Sequence, residues 1–202
     1  MIRSESQEDR RQHSGLGGYS VNQIASKGQL RMSLLRWVLF IVPVILLLGF
    51  LSGQIAGSTE ENRWFQALVK PDAQPPGWMF GAAWTVLYIM MGTAFAMILH
   101  ARSAALRGWA ILLFLVQYVM NLFWSPLFFG MHQVSAAFWL LIGIFVAAFV
   151  TTLVFGRVRK AAAWLMVPYL AWLCFAGILN KQIIELNPHA ETLVVPAAST
   201  QI

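Results

Sequence analysis

The chain has 202 residues, of which 58% are hydrophobic and only 11% charged, and its formal net charge is +6. An ordinary water-soluble domain carries about 25% charged residues, so this composition excludes a soluble globule, which would lack the polar surface to cover itself. The basic residues form no stripe interleaved with stacking aromatics outside the apolar runs, which argues against a nucleic-acid partner and leaves membrane topology as their role.

Residues 1–30 are polar, Gly- and Ser-containing and mixed in charge, without apolar periodicity. They read as a disordered tail. They are not a signal peptide, because the first apolar run begins only after Arg36. Five apolar runs follow, Trp37–Ala56, Met79–Leu99, Trp109–Phe129, Val134–Phe155 and Ala162–Asn180, and none contains Lys, Arg, Asp or Glu. Each is near the ~20 residues a helix needs to cross a bilayer. A β-barrel would show short alternating segments instead. The expected fold is therefore an all-α membrane protein, a five-helix bundle over residues 31–185, with a C-terminal tail at 186–202.

The first span carries Gly49, Gly53 and Gly57 at four-residue steps. That pattern favours close helix contact, within the bundle or between subunits. The loop from Gly57 to Trp78 is the one long connection. It holds Lys70, Asp72 and the prolines Pro71, Pro75 and Pro76, with Trp64 and Trp78 near its ends. Both tryptophans suit a membrane interface. The second span offers Trp84 and Tyr88 at i, i+4, between Gly81 and Gly92.

The third span places Gln117, Asn121 and Trp124 on one helix face. Amides in hydrocarbon are costly unless paired, so this face points into the bundle. It serves either as interhelical glue or as polar anchoring in a cavity. Pro126 and Pro168 each remove a backbone donor and predict a kink or local opening. The fifth span sets Pro168, Trp172 and Ala176 at i+4 steps with Tyr169 beside them. Aromatic stripes of this kind commonly fill a core. Three spans that each pair Trp with polar neighbours also suit a flat apolar ligand pocket.

No carboxylate lies in any span, and there is no Ser/His/Asp set, phosphate-binding glycine loop or Cys/His metal spacing, so neither a catalytic constellation nor a metal site is expected. Cys174 is the single cysteine and can form no intrachain disulfide. His100, His132 and His189 fall at span ends or in the tail. Lys27, Arg31, Arg36, Arg102, Arg107, Arg157, Arg159 and Lys160 collect on one side, against Arg63, Lys70 and Lys181 on the other. The positive-inside rule then makes the N-terminus cytoplasmic, and the asymmetry fits a bacterial cell membrane.

Three motifs in order carry a family resemblance. The first is Trp64-Phe65, Leu68, Lys70-Pro71, Pro75-Pro76, Trp78, Phe80-Gly81, Trp84, Leu87-Tyr88 and Met91-Gly92; the others are NLFWSPLFFG from Asn121 and PYLAWLCFAGILN from Pro168. Together they resemble the TspO/MBR family of tryptophan-rich sensory proteins and mitochondrial translocator proteins. The resemblance implies a five-helix bundle, a homodimer, and a cavity with the first loop as lid. It implies binding of protoporphyrin IX or haem and of isoquinoline carboxamide or benzodiazepine-type drugs, with no obligatory cofactor. It also carries a light-dependent porphyrin-degrading alternative using Trp84 and Trp172. A channel or scaffold is a further alternative, weakened by the scarcity of polar positions in the spans.

By the resemblance Trp84, Tyr88, Gln117, Asn121, Trp124, Trp172, Ala176 and Leu179 line the cavity. Trp64, Lys70, Pro71, Pro75, Pro76 and Trp78 belong to the lid. Lys70 would meet a porphyrin propionate, or else Asp72 or lipid headgroups. Leu179-Asn180 is followed by Lys181 where animal members carry an aromatic, which makes cholesterol a doubtful ligand.

Overall fold

The computed structural model describes residues 27–58 and 61–194. The expected N-terminal tail lies outside the described residues up to 26, and α1 begins at Lys27. The helices are α1 (Lys27–Ile55), α2 (Arg63–Ala67), α3 (Gly77–His100), α4 (Arg107–Ser125), α5 (Val134–Val158) and α6 (Lys160–Leu186). A π-helical turn, Pro126–Gly130, continues α4, and a 3-10 turn, Ala190–Thr192, follows α6. Among the described residues there is no strand. Five stretches are long and apolar enough to cross a membrane: Arg31–Ile55, Gly77–His100, Arg107–Gly130, Val134–Val158 and Lys160–Leu186. They match the five expected spans; the ends that run longer carry polar or basic residues such as Arg31, His100, Arg107, Arg157 and Lys160 into the headgroup layer.

The links explain the antiparallel order. A single residue, Arg159, ends α5 and caps α6 in an extended conformation (φ −150°, ψ 113°). Residues 131–133 join the π turn to α5, and His132 takes a left-handed φ of 57° there. Gly57 closes α1 with φ 65°, the conformation glycine tolerates best.

Pro126 has the effect its sequence position implies. It has no N–H to offer the carbonyl of Leu122 one turn earlier. The Ser52 hydroxyl of α1 donates to that carbonyl instead, and the helix continues with π geometry, a known relief where the i→i−4 ladder is interrupted.

The main core joins α3, α4, α5 and α6 through Met91, Ile98, Phe114, Ile144, Phe155, Met166 and Tyr169, with Ile45 from α1 at its edge. A second cluster lies toward the loop: Trp64, Leu68, Phe128, Val134, Ala137, Ile183 and Ala190.

Candidate functional site

The i, i+4 stripes of the second, third and fifth spans do meet. Trp84 and Tyr88 of α3 have ring centroids 5.0 Å apart, and Trp84 stands edge-on to Trp172 of α6 at 6.3 Å. Phe80 adds an edge contact to Trp172 at 5.7 Å. Helical spacing accounts for this: residues four apart stack on one face, and α3 and α6 turn those faces toward each other.

A buried chain of hydrogen bonds runs beneath the rings. The Tyr88 hydroxyl donates to Asn121 Oδ1 (3.1 Å), Asn121 Nδ2 donates to the Tyr169 hydroxyl (3.2 Å), and that hydroxyl donates to Gln117 Oε1 (3.1 Å). The two amides therefore serve as interhelical glue between α3, α4 and α6. The inventory is incomplete, because Gln117 Nε2 and Trp124 Nε1 are buried donors with no partner in the protein. An unpaired buried donor costs about 1–3 kcal/mol, so such groups favour an incoming acceptor.

The remaining expected site residues are more scattered. Trp124 stacks on Phe128 at 5.0 Å and bridges the two apolar clusters. Ala176 packs against the main core, and Leu179 is buried. Tyr169, noted in the sequence only as a neighbour of Trp172, is fully buried at the centre of the polar chain. Its signal was a hydroxyl in mid-span, which must find a partner in hydrocarbon. Tyr118 was missed for the same reason; its hydroxyl donates to the Ile45 carbonyl of α1 (2.6 Å).

The loop needs two corrections. Trp64 is not an exposed anchor: it is buried, its Nε1 donates to the Ala190 carbonyl (2.9 Å), and its ring stacks on His132 with centroids 4.3 Å apart. Its position follows from α2, which Asn62 caps by accepting from the Phe65 N–H (3.0 Å). Lys70 is not paired with Asp72 either. Its Nζ sits 4.9 Å over the Phe65 ring and reaches the Gln66 carbonyl. Trp78, by contrast, is 71% exposed. Asn187 fastens the loop from the other side, accepting from the Val69 N–H and donating to the Val69 carbonyl, both at 2.8 Å. Pro71 is buried, and Pro76 precedes α3 as its N-cap.

The clefts include one of about 570 Å³ beside Trp64, His132 and Arg63 and one of about 310 Å³ beside Arg36 and Arg102. Neither of these two is lined by Trp84, Tyr88 or Trp172; Tyr88 is buried, and the Trp84 and Trp172 side chains are half-buried.

The fold and this centre define a five-span helical membrane protein with an aromatic cluster over a buried polar chain. The model of the TspO/MBR family matches residues 40–186, and the chain belongs to that family. It is 40% identical over 144 residues to the tryptophan-rich protein TspO of Chlorobaculum tepidum, covering 66% of this chain and 87% of the relative. It is 32% identical to protein CrtK of Rhodobacter capsulatus over 69% of this chain and 90% of the relative. The translocator protein of Bos taurus is 35% identical over 69% of this chain and 83% of its own length.

Proposed function

We propose that this protein binds flat, apolar tetrapyrroles, protoporphyrin IX or haem, between α3, α4 and α6, and so senses, sequesters or moves them. The observation that carries the reading is the buried chain Tyr88–Asn121–Tyr169–Gln117 under the Trp84–Trp172 pair. The rings supply stacking area, while the free donors of Gln117 and Trp124 supply orientation. Drug-sized isoquinoline carboxamides and benzodiazepines suit the same flat site; cholesterol is not proposed. The loop 57–78 covers the entrance. The bacterial relatives support a bacterial cell membrane, with the basic α1 end cytoplasmic. A homodimer remains part of the proposal from the family resemblance.

Titrating protoporphyrin IX into the purified protein is expected to quench Trp fluorescence saturably. The Trp84→Phe, Trp172→Phe pair should lose that saturation. Linear quenching, the same in both proteins, would remove the site.

The contact of Trp84 with Trp172, and of Trp84 with Tyr88 and Tyr169, favours a second, light-dependent reading in which an excited bound porphyrin takes an electron from one of these rings. Bleaching under light at the same rate in Trp172→Phe would exclude Trp172 as the donor, and bleaching at that rate with an unrelated membrane protein would exclude the reading.

A further inference from the structure

The face of the bundle opposite the loop carries a cleft of about 310 Å³ lined by Ser33, Arg36, Trp37 and Phe40 of α1 and by Arg102, just beyond the end of α3. Its two arginines are uncommitted. Two other cations at this end are in use: Arg107 donates to the Leu99 carbonyl (3.1 Å from Nη2), and Arg159 Nη2 lies 3.4 Å from His100 Nδ1. Among the described residues the one ion pair is Lys181–Glu185, and Arg36 and Arg102 have neither an ion pair nor a side-chain hydrogen bond. The described acids, Glu61, Asp72, Glu185 and Glu191, all belong to the loop or the end of α6, at the other end of the bundle.

Two like charges lining one cleft at the edge of hydrocarbon favour a counter-charge. Arg36 lies within the first turns of the span Arg31–Ile55, and Arg102 lies two residues beyond the span Gly77–His100. The cleft therefore sits where acyl chains give way to headgroups. Trp37 and Phe40 add aromatic walls, and Phe40 is 66% exposed on the flank of α1. A free anion in water needs no aromatic wall, whereas a lipid presents phosphate and apolar chain together.

We infer that this cleft holds the headgroup of an anionic phospholipid. The guanidiniums of Arg36 and Arg102 take the phosphodiester oxygens, which their planar forks match. Ser33 offers a hydroxyl to the same group, and Trp37 and Phe40 meet the glycerol and upper acyl chain.

The test uses the full chain in neutral detergent, titrated with phosphatidylglycerol or phosphatidylcholine and read by native mass spectrometry. Wild type is expected to retain phosphatidylglycerol preferentially. The Arg36→Gln, Arg102→Gln variant should lose about fivefold of that preference for each arginine, the factor corresponding to ~1 kcal/mol per basic residue near an anionic surface. Arg36→Lys, Arg102→Lys keeps the charge without the fork and should fall between. Arg157→Gln, Lys160→Gln removes equal charge at the same end and should keep the preference. Equal retention of both lipids by wild type overturns the proposal, and so does unchanged preference in the Gln pair. Equal loss in the Arg157/Lys160 variant shows diffuse charge rather than a site. Displacement of phosphatidylglycerol by equimolar inorganic phosphate assigns the cleft to the free ion instead of the lipid.

Discussion

In the most apolar 18-residue stretch of α1, 6% of positions are buried, against 28–44% in the corresponding stretches of α3, α4, α5 and α6. The four later spans share a broad apolar core. Helix α1 adds only Ile45 to that core, with Trp37, Ile41 and Leu46 packed against it, and is otherwise attached at a few points. Val42 lies against Gly92, Gly49 lies under the Tyr88 ring, Ile45 is buried and receives Tyr118, and Ser52 reaches Leu122. In lipid, apolar contact between helices gains little over contact with acyl chains, so small residues and hydrogen bonds are what can fasten a helix. Two of those points also touch the aromatic region: Gly49 and Tyr118 both meet Tyr88. Helix α1 is thus a loosely held wall behind the aromatic cluster, while α3, α4 and α6 form its frame.

The strongest way to break this contrast is to overfill the contact. A Cβ at Gly49 would collide with the Tyr88 ring. Overpacking of this kind costs about 1–3 kcal/mol, so Gly49→Leu should lower stability by about 3 kcal/mol and displace Tyr88 from Asn121. Gly81→Ala is the control, since a Cβ there meets nothing within 4 Å. Thermal unfolding in detergent compares them. Equal melting temperatures would mean that α1 does not press on the aromatic cluster.

Next comes the frame itself. Asn121→Leu leaves the Tyr88 hydroxyl without its acceptor, while Tyr169 still donates to Gln117. One orphaned buried donor predicts a loss of about 1–3 kcal/mol. Tyr88→Phe in the same background removes the orphan and should recover part of that loss. A double-mutant cycle that finds the two changes additive would show that the bond contributes nothing.

These contacts also show what was legible in the chain. Runs free of Lys, Arg, Asp and Glu locate all five spans, because hydrocarbon tolerates few charges. The stripes Trp84/Tyr88 and Gln117/Asn121 were legible because helical spacing fixes a face. Which face meets which was not: Tyr169 joins Asn121 and Gln117 through tertiary packing alone. Trp64 misleads for a physical reason. An indole at the interface and an indole under a folded loop look the same in sequence, and its acceptor Ala190 lies 126 residues away. Asn62 did carry a local sign of α2, as an N-cap residue accepting from Phe65. For Pro126, the missing N–H was readable, but the compensation by Ser52 from another helix was not.

The loop has a tied half and a freer half. Trp64 and Val69 are fastened to Ala190 and Asn187, whereas the run from Asp72 to Pro76 relies on its prolines for stiffness. Pro75→Gly, Pro76→Gly should therefore act on the open state, at ~0.4–1 kcal/mol per residue. Protoporphyrin release in stopped flow should accelerate about 4- to 30-fold, with the amount bound at saturation unchanged. Asp72→Asn, which leaves stiffness alone, should release at the wild-type rate. Unaltered release in the glycine variant would mean that the loop does not gate the entrance.

The smallest effects concern the two hydrogen bonds that pin α1, and they should differ from each other. The Ile45 carbonyl that accepts from Tyr118 lies within a helix and keeps its own partner four residues on. Tyr118→Phe then removes one bond and orphans nothing, a change of about 0.6 kcal/mol, the average for interhelical bonds in membranes. The Leu122 carbonyl is different, because Pro126 has no N–H to offer it. Ser52→Ala strands that carbonyl and should cost about 1–1.7 kcal/mol, near the upper end measured for such bonds. Ser52→Thr restores the hydroxyl and should recover most of the loss. If Tyr118→Phe proves as costly as Ser52→Ala, the helical partner does not compensate at Ile45, and α1 is joined to the core more tightly than its low burial implies. If both are silent, the glycine contacts and the apolar packing of Ile45 and its neighbours hold α1 in place.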